Sequence, residues 1–281
     1  MNETNTQVID PPKAIQQVNP FAERASMEEA KPRKAGILSQ VTVRKRKRPV
    51  FGILVGPHGV GKSTFAATLP DPIVIAAERI DQINVPKLPV PRTFKELYKQ
   101  IEALDKEEHD YKSIILDSVD ATDLLIVQYV CDEGKVRSLE QYGGGYQKGA
   151  LRCREIWAGL LAQLRDMSER FNVLLIAGAQ VKSFSDPLLS APYDRWNMKL
   201  QEKSAELLRQ MSDLIMFVNL ETVIEKETPR SRKGKGILTG DRVLYTQPTT
   251  GFEAKSRYNH NSPLEFSWEV VQAGIDEFYA N

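Results

Sequence analysis

Eight residues, Gly56 to Ser63, read Gly-Pro-His-Gly-Val-Gly-Lys-Ser, and their types dictate a chemistry. Glycines let successive backbone N–H groups turn inward around an anion, a lysine brings a mobile positive charge, and a serine hydroxyl can ligate Mg²⁺. The segment follows the apolar run Phe51-Gly52-Ile53-Leu54-Val55 and precedes the helix-forming stretch Thr64 to Leu69. The positive end of that helix would therefore face the same anion. Gly56, Pro57, His58, Gly59, Val60, Gly61, Lys62, Ser63 and Thr64 are the expected cradle for a nucleoside triphosphate. Lys62 would reach the β- and γ-phosphates and Ser63 would hold Mg²⁺, so ATP and Mg²⁺ are the expected ligands.

Four further positions carry groups that such a loop could use. Asp117 ends the apolar run Ser113-Ile114-Ile115-Leu116, where a carboxylate can hold Mg²⁺; an acid there is also an ordinary cap for a following helix. Glu78 ends the next strand after the loop and could activate the attacking water, or simply be a solvated strand end. Gln180 closes the run from Val173, where an amide can sense a γ-phosphate. Lys255 and Arg257 alternate in Glu253 to Tyr258, so they share one face of an extended segment. There they could stabilise a transferring phosphoryl group on this chain or a neighbour, or merely face solvent.

For these groups to converge, the strands carrying them must end at one edge of a sheet. From Pro49 the sequence alternates strand and helix patterns, which predicts a mostly parallel sheet flanked by helices. Strands are expected at Ile73–Ala77, Ser113–Asp117, Val173–Ala177 and Leu214–Val218. Thr93-Phe94-Lys95-Glu96 is a capping box opening a helix with Leu97, Ile101 and Leu104 inward. Further helices are expected at Asp120–Cys131, at Gly149–Ser168 with Leu151, Ile156, Leu160 and Leu164 inward, and at Leu200–Met211. Glu133–Lys148 reads as a glycine-rich loop. Val181–Lys199, with Pro187 and Pro192, reads as an irregular one. The remainder reads as short strands and turns to about Val271, a β-rich extension of the sheet.

The chain has 281 residues, 41% hydrophobic and 27% charged, with a net charge of +1. That suits one α/β domain and excludes a uniformly basic nucleic-acid coat. Residues 1–48 read as a polar, basic, flexible arm and 49–281 as the core. Within the arm, Asn19–Ala25 isolates one aromatic, Phe21, which could anchor on a neighbour or pack on its own domain. Two basic blocks, Arg44–Arg48 and Arg230–Lys235, could contact phosphates or be solvated. Cys131 and Cys153 read as reduced packing residues. No apolar run is long enough to cross a membrane and no signal peptide is recognised, so a cytoplasmic location without membrane contact is expected.

Taken in order, five segments resemble the RecA family core. They are the Gly56–Ser63 loop, Ile75-Ala76-Ala77-Glu78, Leu116-Asp117-Ser118-Val119-Asp120, the helix from Gly149 with the strand leading to Gln180, and Lys255-Ser256-Arg257 followed by Pro263. The resemblance spans roughly Pro49 to Glu269. It implies a RecA-like P-loop NTPase fold that hydrolyses ATP to ADP and phosphate, stimulated by DNA, at subunit interfaces of a filament or ring. Glu78 is then the catalytic glutamate that activates water, Gln180 the allosteric amide, and Lys255 and Arg257 the cations reaching a neighbour's ATP. Glu133–Lys148, with Arg137, Tyr142, Tyr146 and Lys148, falls at the family's first DNA loop. Val181–Lys199, with Lys182, Arg195, Trp196 and Lys199, falls at the second, so cations and aromatics suit single-stranded DNA. Lacking RecA's large carboxyl-terminal domain, the chain is most similar to short phage ATPases that include Sak-type single-strand annealing proteins, which would act in a bacterial host's cytoplasm. Recombination or annealing is the implied role, with a single-strand-binding protein as a further partner. A nucleotide-gated annealing protein with negligible hydrolysis, and a helicase or helicase loader, are the alternatives.

Overall fold

The computed structural model describes residues 36–37, 41, 45–225, 235–258 and 260–280. Its contacts divide the chain into Met1–Lys45 and Arg46–Asn281, and every element below belongs to the second unit. In chain order these are β1 (Phe51–Gly56), α1 (Lys62–Ala66), β2 (Pro72–Ala76), α2 (Phe94–Lys106), β3 (Ser113–Asp117) and α3 (Val119–Gly134). After a 3₁₀ turn at Leu139–Gly144 come α4 (Lys148–Met167), β4 (Asn172–Phe184), β5 (Tyr193–Met198), α5 (Glu202–Met211) and β6 (Leu214–Glu225). The chain closes through β7 (Lys235–Tyr245), β8 (Lys255–Ser256), β9 (Leu264–Glu265) and α6 (Trp268–Ala280).

The apolar run of β1 has no polar face, so it must be covered on both sides, and every one of its residues is buried. It pairs in parallel with β4 and with β6, while β3 pairs in parallel with β4 and with β2. The sheet order is β2-β3-β4-β1-β6-β7-β9, with β7 and β9 antiparallel at one side. This is the expected mostly parallel α/β sheet with a β-rich extension, the P-loop NTPase fold. Its parallel strands place Gly56, Ala76, Asp117 and Gly178 at one edge, where ligands of open α/β sheets bind.

Alternate strand residues serve the two faces. Phe51, Ile53, Ile75, Ile114, Leu116, Leu175 and Phe217 pack under α2 to α5, against Leu97, Ile126, Trp157, Leu164 and Leu208. Leu54, Val74, Ile115, Ile176 and Met216 face the other way, against Phe65 of α1 and Trp268, Val271 and Ile275 of α6. The α2 start follows its signature: the Thr93 hydroxyl accepts from Glu96 N–H, and the Glu96 carboxylate accepts from Arg92 N–H at 2.7 Å. An acid, Asp123, is buried in the larger face. Asp123 accepts from Trp157 Nε1 at 2.8 Å and from Gln201 Nε2 at 3.3 Å, and burial pushes its pKa up. Cys131 and Cys153 are unpaired and buried.

Several expectations are corrected. Val181–Lys199 is not irregular: β4 runs on to Phe184 and β5 returns antiparallel, pairing Gln180 with Asn197 and Lys182 with Arg195. Both prolines lie between the two strands, where a missing N–H costs no ladder bond. Gln180 is thus inside a strand rather than closing one. Glu133–Lys148 is only partly loop, since α3 continues to Gly134 and a 3₁₀ turn follows. On α4 the buried line is Cys153, Trp157, Leu160, Leu161, Leu164 and Met167, while Leu151 is 44% exposed; the aromatic at Trp157 sets the face. The end of the chain is a helix, α6, with Trp268, Val271 and Ile275 at helical spacing covering a sheet face that α1 alone is too short to cover.

Most of the expected arm, including Asn19–Ala25, lies outside the described residues, as do the side chains of Arg230–Lys235. In the Arg44–Arg48 block, Arg46 and Arg48 pair with Glu169 and Lys47 with Asp276. These cations therefore hold carboxylates of the core itself. Among the described residues no helix is long and apolar enough to cross a membrane.

Candidate nucleotide site

The loop from Gly56 to Ser63 leaves the sheet between β4 and β6. Gly56 has no room for a side chain: a Cβ there would come within 2.7 Å of Val218. Gly61 sits at φ 95°, a left-handed backbone that turns the chain into α1 and that other residues resist. Lys62 then folds back over the loop, donating to the carbonyls of Gly56 at 2.9 Å and Pro57 at 2.8 Å. Burial lowers its pKa, opposed by the negative charges of Asp120, Asp117 and Glu78.

A cleft opens over the loop, lined by His58, Lys62, Ser63, Glu78, Asp117 and Asp120 among others. The cap question raised by Asp117 is answered by its neighbour, for the Ser118 hydroxyl accepts from Ala121 N–H and opens α3. The Asp117 carboxylate is left free for the cleft. It is 2% exposed, lines the cleft with Ser63, and has one oxygen, Oδ2, buried with no hydrogen-bond partner among the described residues. Burial raises its pKa, as does the charge of Glu78. A buried carboxylate oxygen without a donor beside a serine hydroxyl fits Mg²⁺, which takes one or two protein oxygens and completes its shell with phosphates and water. Consistent with that sparse ligation, the described residues contain no cluster of three or more His, Cys, Asp or Glu able to hold an ion by themselves. Glu78, just beyond β2, lines the cleft, where water can reach it.

Sequence reasoning passed over two residues here. Asp120 lies in the first turn of α3 and accepts from the Gly178 N–H at 2.9 Å, tying α3 to β4 beside the cleft. Its signal was available: an acid three residues after Asp117 shares the edge at which β3 ends. Arg79 also lines the cleft, flagged only by its place beside Glu78.

The remaining expected residues lie elsewhere. Gln180 donates to the Met198 carbonyl at 3.3 Å and lines an adjoining cavity with Glu78, Asp120 and Lys199. Lys255 and Arg257 sit by the start of β6, at the sheet edge opposite the loop. There Lys255 Nζ donates to the Arg209 carbonyl at 3.0 Å and Arg257 pairs with Asp213 at 2.9 Å, alongside Arg165. They do not reach this chain's own cleft. Of the expected nucleic-acid residues, Tyr146 is 93% exposed, and Arg137, Lys148, Lys182 and Lys199 are exposed as well. Lys148 donates to the Gly143 carbonyl at 2.8 Å. Tyr142 and Trp196 pack against the core, and Arg195 lies over the Phe184 ring with Glu253 at 3.8 Å.

A protein-family model described as an AAA domain matches residues 48–258. No curated protein matches the chain.

Proposed function

The chain belongs to the AAA-domain family of P-loop ATPases, and from that premise we propose that it hydrolyses Mg²⁺-bound ATP in the Lys62 cleft and couples this to binding single-stranded DNA. The observation that carries the ATPase part is the buried, unpartnered oxygen of Asp117, whose carboxyl lines the cleft together with Ser63 and the loop lysine. Ser63 and Asp117 would hold Mg²⁺, which neutralises charge on the phosphates. Lys62 leaves the carbonyls of Gly56 and Pro57 for the β- and γ-phosphate oxygens. Glu78 orients a water whose oxygen attacks the γ-phosphorus as the bond to the bridging oxygen breaks; ADP departs and the water's proton passes to the carboxylate. Glu78→Gln is expected to bind ATP as wild type does while releasing phosphate about 10²–10⁴ times more slowly. Unchanged turnover in a phosphate-release assay rules Glu78 out as the base.

Support for the DNA part comes from the β4–β5 hairpin, whose base adjoins the cleft. The Gly178 carbonyl accepts from Lys199 N–H at 2.8 Å while its N–H serves Asp120. One hairpin face carries Gln180, Lys182 and Phe184 opposite Asn197, Arg195 and Tyr193. Lys182 lies directly opposite Arg195, and with Glu253 at 3.8 Å from Arg195 the exposed Lys182 is the hairpin cation offered to an anionic partner. Phosphates meeting Lys182 and Lys199, with Tyr146 offering a ring to a base, is the recognition expected for a single strand. A recombination or annealing ATPase of the phage core-only type, assembled as a filament or ring, is the biological role this reading favours. In such an assembly Lys255 and Arg257 would exchange their Arg209 and Asp213 partners for a neighbour's phosphates.

The double substitution Lys182→Ala with Lys199→Ala tests the DNA reading. With an ATP analogue, fluorescence anisotropy should show weaker binding to single-stranded DNA and a log K against log salt slope shallower by up to about 1.4, roughly 0.7 for each phosphate no longer neutralised. An unchanged slope assigns the DNA surface elsewhere.

A further inference from the structure

The charges in the cleft are poorly matched to a polyphosphate. Glu78, Asp117 and Asp120 line it against Lys62 and Arg79, and even with one Mg²⁺ counted a triphosphate leaves the cleft with excess negative charge. A further cation stands just outside that lining. Arg242, on β7 opposite Leu220 of β6, lays its side chain against the loop at Gly61. Its Nε is 3.1 Å and its Cζ 3.5 Å from where a Cβ of Gly61 would be. The guanidinium thus occupies the space that the missing side chain leaves, one residue before Lys62. A pair of aromatic rings lies beside it: Arg242 Cζ is 6.0 Å from the Phe266 ring centroid, and the Phe266 ring lies 4.9 Å from that of Phe65 of α1, tilted by 34°. Among the described residues no carboxylate lies within ion-pair distance of it, and it is exposed.

We propose that Arg242 is a nucleotide-binding residue of this chain, adding a fixed positive charge to the phosphate loop and favouring nucleotides in proportion to their phosphate charge. The inference rests on the reading of the cleft as a nucleotide site. A guanidinium is always charged and presents several N–H donors in one plane, so it can stay over the Phe266 ring while one edge faces phosphate oxygens. It differs from Lys62 in its partners: Lys62 must leave two carbonyls, whereas Arg242 has no ion-pair partner among the described residues to leave. Arg242 also lies on β7, so it makes the antiparallel extension of the sheet part of the site.

Affinities for ATP, ADP and AMP, measured by displacement of a fluorescent nucleotide in Mg²⁺ buffer for wild type, Arg242→Gln and Arg242→Lys, test this. Arg242→Gln should weaken ATP by about tenfold, ADP by less and AMP by under about twofold, with the loss shrinking as salt is raised. Arg242→Lys should recover part of the loss, and thermal unfolding should match wild type. Equal loss for all three nucleotides without salt dependence overturns the proposal in favour of a packing role on Phe266, and unchanged affinities overturn it outright. Wild type binding none of the three overturns the nucleotide reading itself; wild type binding with an unaltered Arg242→Gln overturns this inference alone.

Discussion

Lys62→Ala is expected to abolish ATP turnover, with phosphate release falling by about 10³-fold or more and ATP affinity by about 10–100-fold. Both losses follow from position. A charge-assisted hydrogen bond to phosphate contributes about 1.5–3 kcal/mol to binding, and stabilising charge that develops in the transition state adds about as much again to the rate. The fold should tolerate the change, because the lysine's hydrogen-bond partners are two loop carbonyls, of Gly56 and Pro57, and water can replace it there. A pH signature accompanies it. Burial holds the Lys62 ammonium below the ordinary lysine value, so raising the pH toward that lowered value removes its charge and weakens ATP binding before an exposed lysine would titrate. Lys62→Ala should lack this alkaline fall. If wild type and Lys62→Ala lose affinity in parallel as pH rises, the ionisation belongs to another group.

Asp117→Asn should separate activity from stability. Hydrolysis is expected to fall by about 100-fold or more, because an amide cannot supply the anionic ligand that Mg²⁺ needs, a loss of several kcal/mol of charge stabilisation. The nucleotide-free protein should meanwhile become more stable. Asp117 is 2% exposed with one oxygen unpartnered, so its ionised form is costly in the fold; asparagine removes the charge. The sign of the pH dependence follows. With the folded pKa raised above the ordinary aspartate value, the carboxyl's contribution to stability is intact below the unfolded pKa and is lost as pH rises through the raised folded value. The melting temperature of Asp117→Asn should therefore approach wild type as pH falls below the ordinary aspartate value of 3.8 and exceed it near pH 7. A gain of about 1 kcal/mol corresponds to about 2–4 °C in a chain of this size. Adding Mg²⁺ and ATP should stabilise wild type and not the variant. A variant less stable than wild type at neutral pH contradicts the burial argument.

How legible the site was depended on whether its contacts are local. The Gly56–Ser63 loop declares itself because its glycines, lysine and serine must sit in one short stretch, and the strand and helix around it are patterned by burial. Asp117 and Glu78 were legible by a weaker rule, an acid at a strand's carboxyl end, which a parallel sheet gathers to one edge. Arg242 carried no local signal at all; it reaches Gly61 only because β7 turns back along β6, a pairing set by tertiary structure. The β4–β5 hairpin was hidden by Pro187 and Pro192, which punctuate a turn yet read as irregularity when the flanking alternation of Lys182, Phe184, Tyr193 and Arg195 is overlooked. Likewise α6 looked like β extension until the bare sheet face over Leu54 and Met216 required Trp268, Val271 and Ile275 to cover it. Lys255 and Arg257 were recognised as a pair of cations, but which phosphates they could meet depends on where β8 joins the sheet, and that is the edge away from the loop.

Steady-state phosphate release from ATP by the purified chain, with and without Mg²⁺ and with and without single-stranded DNA, tests the coupled ATPase directly. The expected result is release that requires Mg²⁺, disappears in Lys62→Ala and rises when DNA is added. ATP bound at full occupancy with no release above the Lys62→Ala level would contradict hydrolysis in this cleft and leave a nucleotide-gated binding protein in its place.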